Sequence, residues 1–136
     1  MYSIEKVSAR EALELVRKAV AEAEKMNRHI AVAVSGPEGE LISFLRMDGA
    51  NPASAQIAQS KAYTSARDCK STRAQGNFMR TENREQGYWT DHNITGFGGG
   101  LPILHQGKVI GGIGVSGLSE EEDEAVANEA IKAVFS

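Results

Sequence analysis

The chain has 136 residues and a mass of 14.6 kDa, which predicts one domain over residues 1–136 and leaves no room for two. Its 15 basic and 18 acidic side chains give a net charge of −3, which excludes the phosphate-neutralising surplus of a general nucleic-acid binder. One cysteine, Cys69, excludes a disulfide framework, and the absence of an apolar leader or a run near ~18 apolar residues predicts a cytoplasmic protein with no membrane partner.

Ser8 followed by Glu11 is a capping-box pattern, and Ala12, Leu15, Val16, Ala19, Val20 and Ala23 recur behind it at helical spacing. An amphipathic helix ending near Met26 is predicted. The apolar runs Ile30–Val34 and Leu41–Met47 flank the turn formers Gly36-Pro37-Glu38-Gly39 and read as a β-hairpin. Asn51-Pro52 then opens a helix whose small residues, Ala55, Ala58, Ala62, Ala66 and Cys69, permit close approach of a neighbour. Thr72-Arg73-Ala74-Gln75 predicts a cap on a further short helix. From Gly76 to Thr95 the periodicity fails, and irregular, partly helical structure with a short strand around Tyr88 and Trp89 is expected. Leu101–Leu104 and Val109–Val115, joined by His105-Gln106-Gly107-Lys108, form a second hairpin. Ser119 with Glu122 caps a last helix striped by Val126, Ala127, Ala130, Ile131 and Val134. Hairpins alternating with helices predict an antiparallel sheet covered by helices, the α+β class.

Gly112-Ile113-Gly114-Val115-Ser116-Gly117 spells G-x-G-x-x-G, but a dinucleotide site needs a second parallel strand and an acidic residue beyond it. The five acids Glu120 to Glu124 would also repel a pyrophosphate. Close packing of the glycine strand into the last helix is the expected reading. Gly98, Gly99 and Gly100, followed by Leu101 and Pro102, can instead turn bare N–H groups toward a small anion such as a carboxylate. Between Lys61 and Arg84, Lys61, Arg67, Lys70, Arg73, Arg80 and Arg84 face only Asp68 and Glu82, a balance suited to a carboxylate-bearing ligand. His29, His92 and His105 have no zinc-site spacing. His92, in the polar segment beside Trp89, is the axial-ligand candidate for a haem iron, and Cys69 is expected to be packed.

The strings Arg46-Met47-Asp48-Gly49-Ala50, Ala58-Gln59-Ser60-Lys61-Ala62-Tyr63-Thr64-Ser65-Ala66, Gly99-Gly100-Leu101-Pro102-Ile103, Gly111 to Gly117 and Asp123-Glu124-Ala125-Val126-Ala127 fall in an order that resembles the GlcG/HbpS-like, or haem-degrading domain, family. The resemblance implies a profilin-like α/β/α layering with a five-stranded antiparallel sheet, and assembly as a homodimer or larger homo-oligomer. It implies a small-ligand-binding protein that takes haem or a related carboxylate-bearing cofactor and promotes its degradation. In that reading Arg46, Lys61, Arg67, Gly98, Gly99, Gly100 and Pro102 hold the ligand and His92 meets the metal. A second implication is a lyase or isomerase acting on a small aromatic or hydroxy acid such as 4-hydroxylaminobenzoate, with Asp48, Tyr63, Thr64 or His92 moving protons. A third is a non-catalytic accessory oligomer for glycolate, diol or corrinoid metabolism. The sequence departs from the family pattern at Ser35, where an aspartate is usual, and over Asn77–Asn93, which matches nothing in it.

Overall fold

The computed structural model describes residues 1–135; Ser136, at the end of the predicted domain, lies outside them. The elements in order are α1 (Ala9–Lys25), β1 (Ala31–Ser35), β2 (Leu41–Arg46), α2 (Ala53–Asp68), α3 (Thr72–Thr81), a 3-10 turn (Gln86–Trp89), β3 (Gly100–His105), β4 (Lys108–Ser116) and α4 (Glu120–Phe135). The predicted local signals operate where they were placed. Ser8 Oγ accepts the Glu11 N–H while the Glu11 carboxylate accepts the Ser8 N–H, and Ser119 and Glu122 repeat the exchange at α4. Asn51 Oδ1 accepts the Ala53 N–H at 2.9 Å to start α2.

One cap is displaced from its predicted place. Ser71, not Thr72, caps α3, accepting the Ala74 N–H at 3.0 Å. Thr72 is thereby turned inward, and its Oγ1 accepts the Gly100 N–H at 2.8 Å.

The sheet has four strands in the order β2-β1-β4-β3, all antiparallel, where five strands were expected. The segment expected to hold a strand at Tyr88 and Trp89 winds into the 3-10 turn instead. Thr90 closes that turn in the left-handed region at φ 52°, a reversal that an extended strand does not accommodate.

Alternation along the strands sends two different sets of side chains to the two faces. Val32, Val34, Ile103, Ile113 and Val115 meet Leu15, Val16 and Ala19 of α1 and Val126, Ala127 and Ala130 of α4 in the main core. Ala31 and Ala33 meet Ala58 and Ala62 of α2 on the other face. The glycine pattern of β4 belongs to this second face. A methyl at Gly112 or Gly114 would strike the backbone of α2 at Ala62 or Ala58, so the G-x-G spacing seats α2 on the sheet rather than packing into the last helix, as expected from sequence.

Candidate functional site

The glycine turn before β3 and Lys61 do come together, and the anions they receive are the protein's own. Lys61, only 2% exposed, extends from α2 to donate to the Val115 carbonyl at 2.8 Å and to Asp123 Oδ2 at 2.9 Å. Gly99, at φ +125°, leaves room for this pair: a Cβ there would lie 2.7 Å from Lys61 Nζ and 2.8 Å from Asp123 Cβ. The Gly98 N–H donates to Glu120 Oε1 at 2.9 Å, and the Gly100 N–H is taken by Thr72. Burial pushes the Asp123 carboxyl upward, opposed by the charge and hydrogen bond of Lys61. The turn, Lys61 and the first turn of α4 thus form a closed, internally satisfied anion site.

The remaining predicted site residues separate. Arg46 is exposed on edge strand β2, and Pro102 lies on the opposite edge strand, β3, facing Gly112. Asp48 is exposed in the turn after β2, where a Cβ added at the neighbouring Gly49 would lie 3.6 Å from the ring of His29. Tyr63, Thr64 and His92 gather instead at the loop following the 3-10 turn. The Tyr63 hydroxyl donates to Asp91 Oδ2 at 2.6 Å and accepts from Arg67 Nη1 at 2.6 Å, and the Arg67 guanidinium lies 4.7 Å from the centre of the Tyr63 ring. The hydrogen bond from Tyr63 holds the Asp91 carboxyl below its ordinary range, and the same bond raises the Tyr63 phenol. Thr64, fully buried, donates to the Asn93 carbonyl and accepts the Thr95 N–H at 3.0 Å. His92 is exposed between these anchors. Asp48 has no place in this group, so the four proposed proton-transfer residues do not share one site.

A wider recess lies elsewhere, at the hairpin end of the sheet. It is a cleft of about 760 Å³ bounded by the N-terminal segment, the first hairpin turn at Pro37, the end of α2 and the second hairpin. Tyr2, Ile4, Leu104 and Val109 supply apolar wall, and Arg67 and Lys108 supply positive charge. Val7 N–H donates to the Ile110 carbonyl at 2.9 Å, which ties the N-terminal segment to β4. Glu5, the acid in the cleft wall, faces His105 Nδ1 at 3.3 Å. Cys69 also lines the cleft. Its left-handed backbone, φ 57°, ends α2, and the free cysteine is exposed with Sγ 3.7 Å from the Ala66 carbonyl, not packed as the sequence suggests.

Residues 7–132 match the family model described as haem degrading protein HbpS-like. The chain belongs to the HbpS-like family. It is 35% identical over 95 residues to protein GlcG of Escherichia coli, covering 70% of this chain and 69% of that protein. It is 28% identical to the corrinoid adenosyltransferase PduO of Citrobacter freundii, covering 94% of this chain but only 39% of that longer protein. A double mutant of HbpS from Streptomyces reticuli superposes with a TM-score of 0.92 at 28% identity, covering 100% of this chain and 92% of that one. A structure described as a PduOC:heme complex superposes with a TM-score of 0.88 at 26% identity, covering 96% of each chain.

The HbpS-like description raises the question of whether this chain's residues fit a haem. Ligand pockets commonly enclose about 300–1,000 Å³. The cleft at the hairpin end lies well within that range, whereas the cavity beside Tyr63, about 250 Å³, is a third of its volume. Apolar wall for a ring, two cations for carboxylates and a thiol of the kind that ligates haem iron occur together in the cleft. The residues fit. His92, the axial candidate from sequence, lines neither recess. Cys69 was missed because its spacing continues the alanine face of α2. The signal that could have found it is Ser71: a helix capped there requires the preceding helix to end near residue 69, with its last residue free to turn left-handed.

Proposed function

We propose that this chain binds haem, or a related planar ring bearing carboxylates, in the cleft at the hairpin end of the sheet. The observation that carries this reading is the coincidence, in one recess of about 760 Å³, of apolar walls with Arg67 and Lys108. Arg67 uses one N–H on Tyr63, which leaves donors of its planar fork to pair with a carboxylate. Tyr2 and Ile4 of the N-terminal segment would supply apolar contact to the ring, and the Cys69 thiol would be the group available to the iron. A bound haem supplies iron redox chemistry, the ingredient that degradation of the ring requires. The protein's part is to hold the carboxylates, exclude water along the apolar wall and fix the metal's ligand. The PduOC:heme complex supports this reading by sharing the fold.

Homo-oligomeric assembly belongs to the same proposal. Edge strand β2 exposes Leu41, Phe44 and Leu45 beside an unpaired backbone edge, the kind of surface that a second copy covers.

A haem titration followed by absorbance tests the site. We expect a saturable Soret shift, a changed band position in Cys69→Ser, and affinity losses of about fivefold, ~1 kcal/mol, in Arg67→Ala and in Lys108→Ala. A spectrum matching free haem overturns the proposal.

A further inference from the structure

A second recess, of about 250 Å³, lies between α2 and the first hairpin and takes no part in the reading above. Gln56, Gln59, Ser60 and Tyr63, spaced along one face of α2, form its floor, Ser35 and Leu41 face them from the hairpin, and Asn93 adds a side-chain amide from the loop after the 3-10 turn. No ionised side chain lines it. Arg67 and Asp91, beside its Tyr63 wall, are both bonded to the Tyr63 hydroxyl.

The polar groups left open there alternate in kind. Gln59 Nε2 donates one N–H to the Ala55 carbonyl, leaving its second N–H and Oε1, and Ser35 Oγ donates to the Ala62 carbonyl, leaving its lone pairs. Gln56 and Ser60 make no side-chain hydrogen bond among the described residues, so each offers both a donor and an acceptor. A hydroxyl group, itself donor and acceptor, matches every member of this set. A carboxylate would leave water for a recess whose lining carries no cation to pair with it, a cost that a neutral hydroxyl does not incur. Leu41 offers an apolar surface for a carbon chain. At ~30 Å³ per water the volume holds about eight water-sized atoms, the size of a tetritol.

We infer that this recess is a binding site for a small neutral polyol. The test is a titration of the isotope-labelled full chain, free of haem, with erythritol, read by backbone and side-chain amide shifts. Erythronate, the same skeleton with a carboxylate at one end, is the comparison. Expected are saturable shifts confined to Ser35, Gln56, Gln59, Ser60 and Tyr63, weaker binding of erythronate, and at least a tenfold loss of erythritol affinity in Gln56→Leu. Ser60→Ala, a smaller change on the same helix face, serves the same purpose should Gln56→Leu not fold. Shifts that grow linearly with concentration, that scatter over the surface, or that favour erythronate overturn the inference. None of these outcomes touches haem binding, which is read in the other cleft.

Discussion

The two faces of the sheet are built on different principles. Toward α1 and α4 it presents valine and isoleucine, and the helices stand off by the depth of branched side chains. Toward α2 it presents Ala31, Ala33, Gly112 and Gly114, and the helix backbone rests directly on the strands. The first face is held by apolar area, which tolerates small changes of shape. The second has little side-chain area to bury. It gains instead a close approach that lets Lys61, rising from α2, reach the end of β4 and Asp123 of α4. That ion pair fastens the layers on opposite sides of the sheet to each other. A tightly seated helix with few apolar atoms depends on geometry, and its two key devices are a missing methyl and a buried charge pair.

Breaking the pair is the sharpest test of this contrast. Lys61→Ala leaves the Asp123 carboxylate buried without its cation, and we expect a loss of about 3–5 kcal/mol in urea unfolding. The double variant Lys61→Met with Asp123→Leu removes both charges and should recover most of that loss. Gly114→Ala tests the close approach itself: the added methyl meets the Ala58 carbonyl, with an expected cost of ~1–3 kcal/mol by the same measurement. On the branched face, Ile113→Val is a milder insult of about 1 kcal/mol, although Ile113 is fully buried. The smallest effect belongs to the loop that α2 anchors through Tyr63. Asp91 is held below its ordinary range in the folded chain, so its contribution is present above about pH 4 and is lost as pH falls through the folded value. The difference in Tm between the wild type and Asp91→Asn should therefore shrink below about pH 4.

The same contrast separates what was readable in the residues from what was not. Helices α1 and α4 announce themselves through Ser8 with Glu11 and Ser119 with Glu122, because a capping box is completed within four residues. Both hairpins follow from turn formers set between apolar runs, and the family follows from the order of short strings along the chain. The electrostatic content of the glycine turn was legible too: a small anion does sit against Gly98 and Lys61. Its identity was not, since it arrives as Glu120 and Asp123, the latter 62 positions from Lys61 in the chain.

Sequence alone therefore determined the local elements, their order and the α+β class, because each rests on hydrogen bonds and periodicities within a few residues. Tertiary structure alone decided which helix the glycine strand admits, that the sheet stops at four strands, and that Lys61 is spent inside the protein. It also decided that the N-terminal segment, the end of α2 and the second hairpin enclose one cleft. Those outcomes depend on distances between segments remote in sequence, which packing sets and no local pattern encodes.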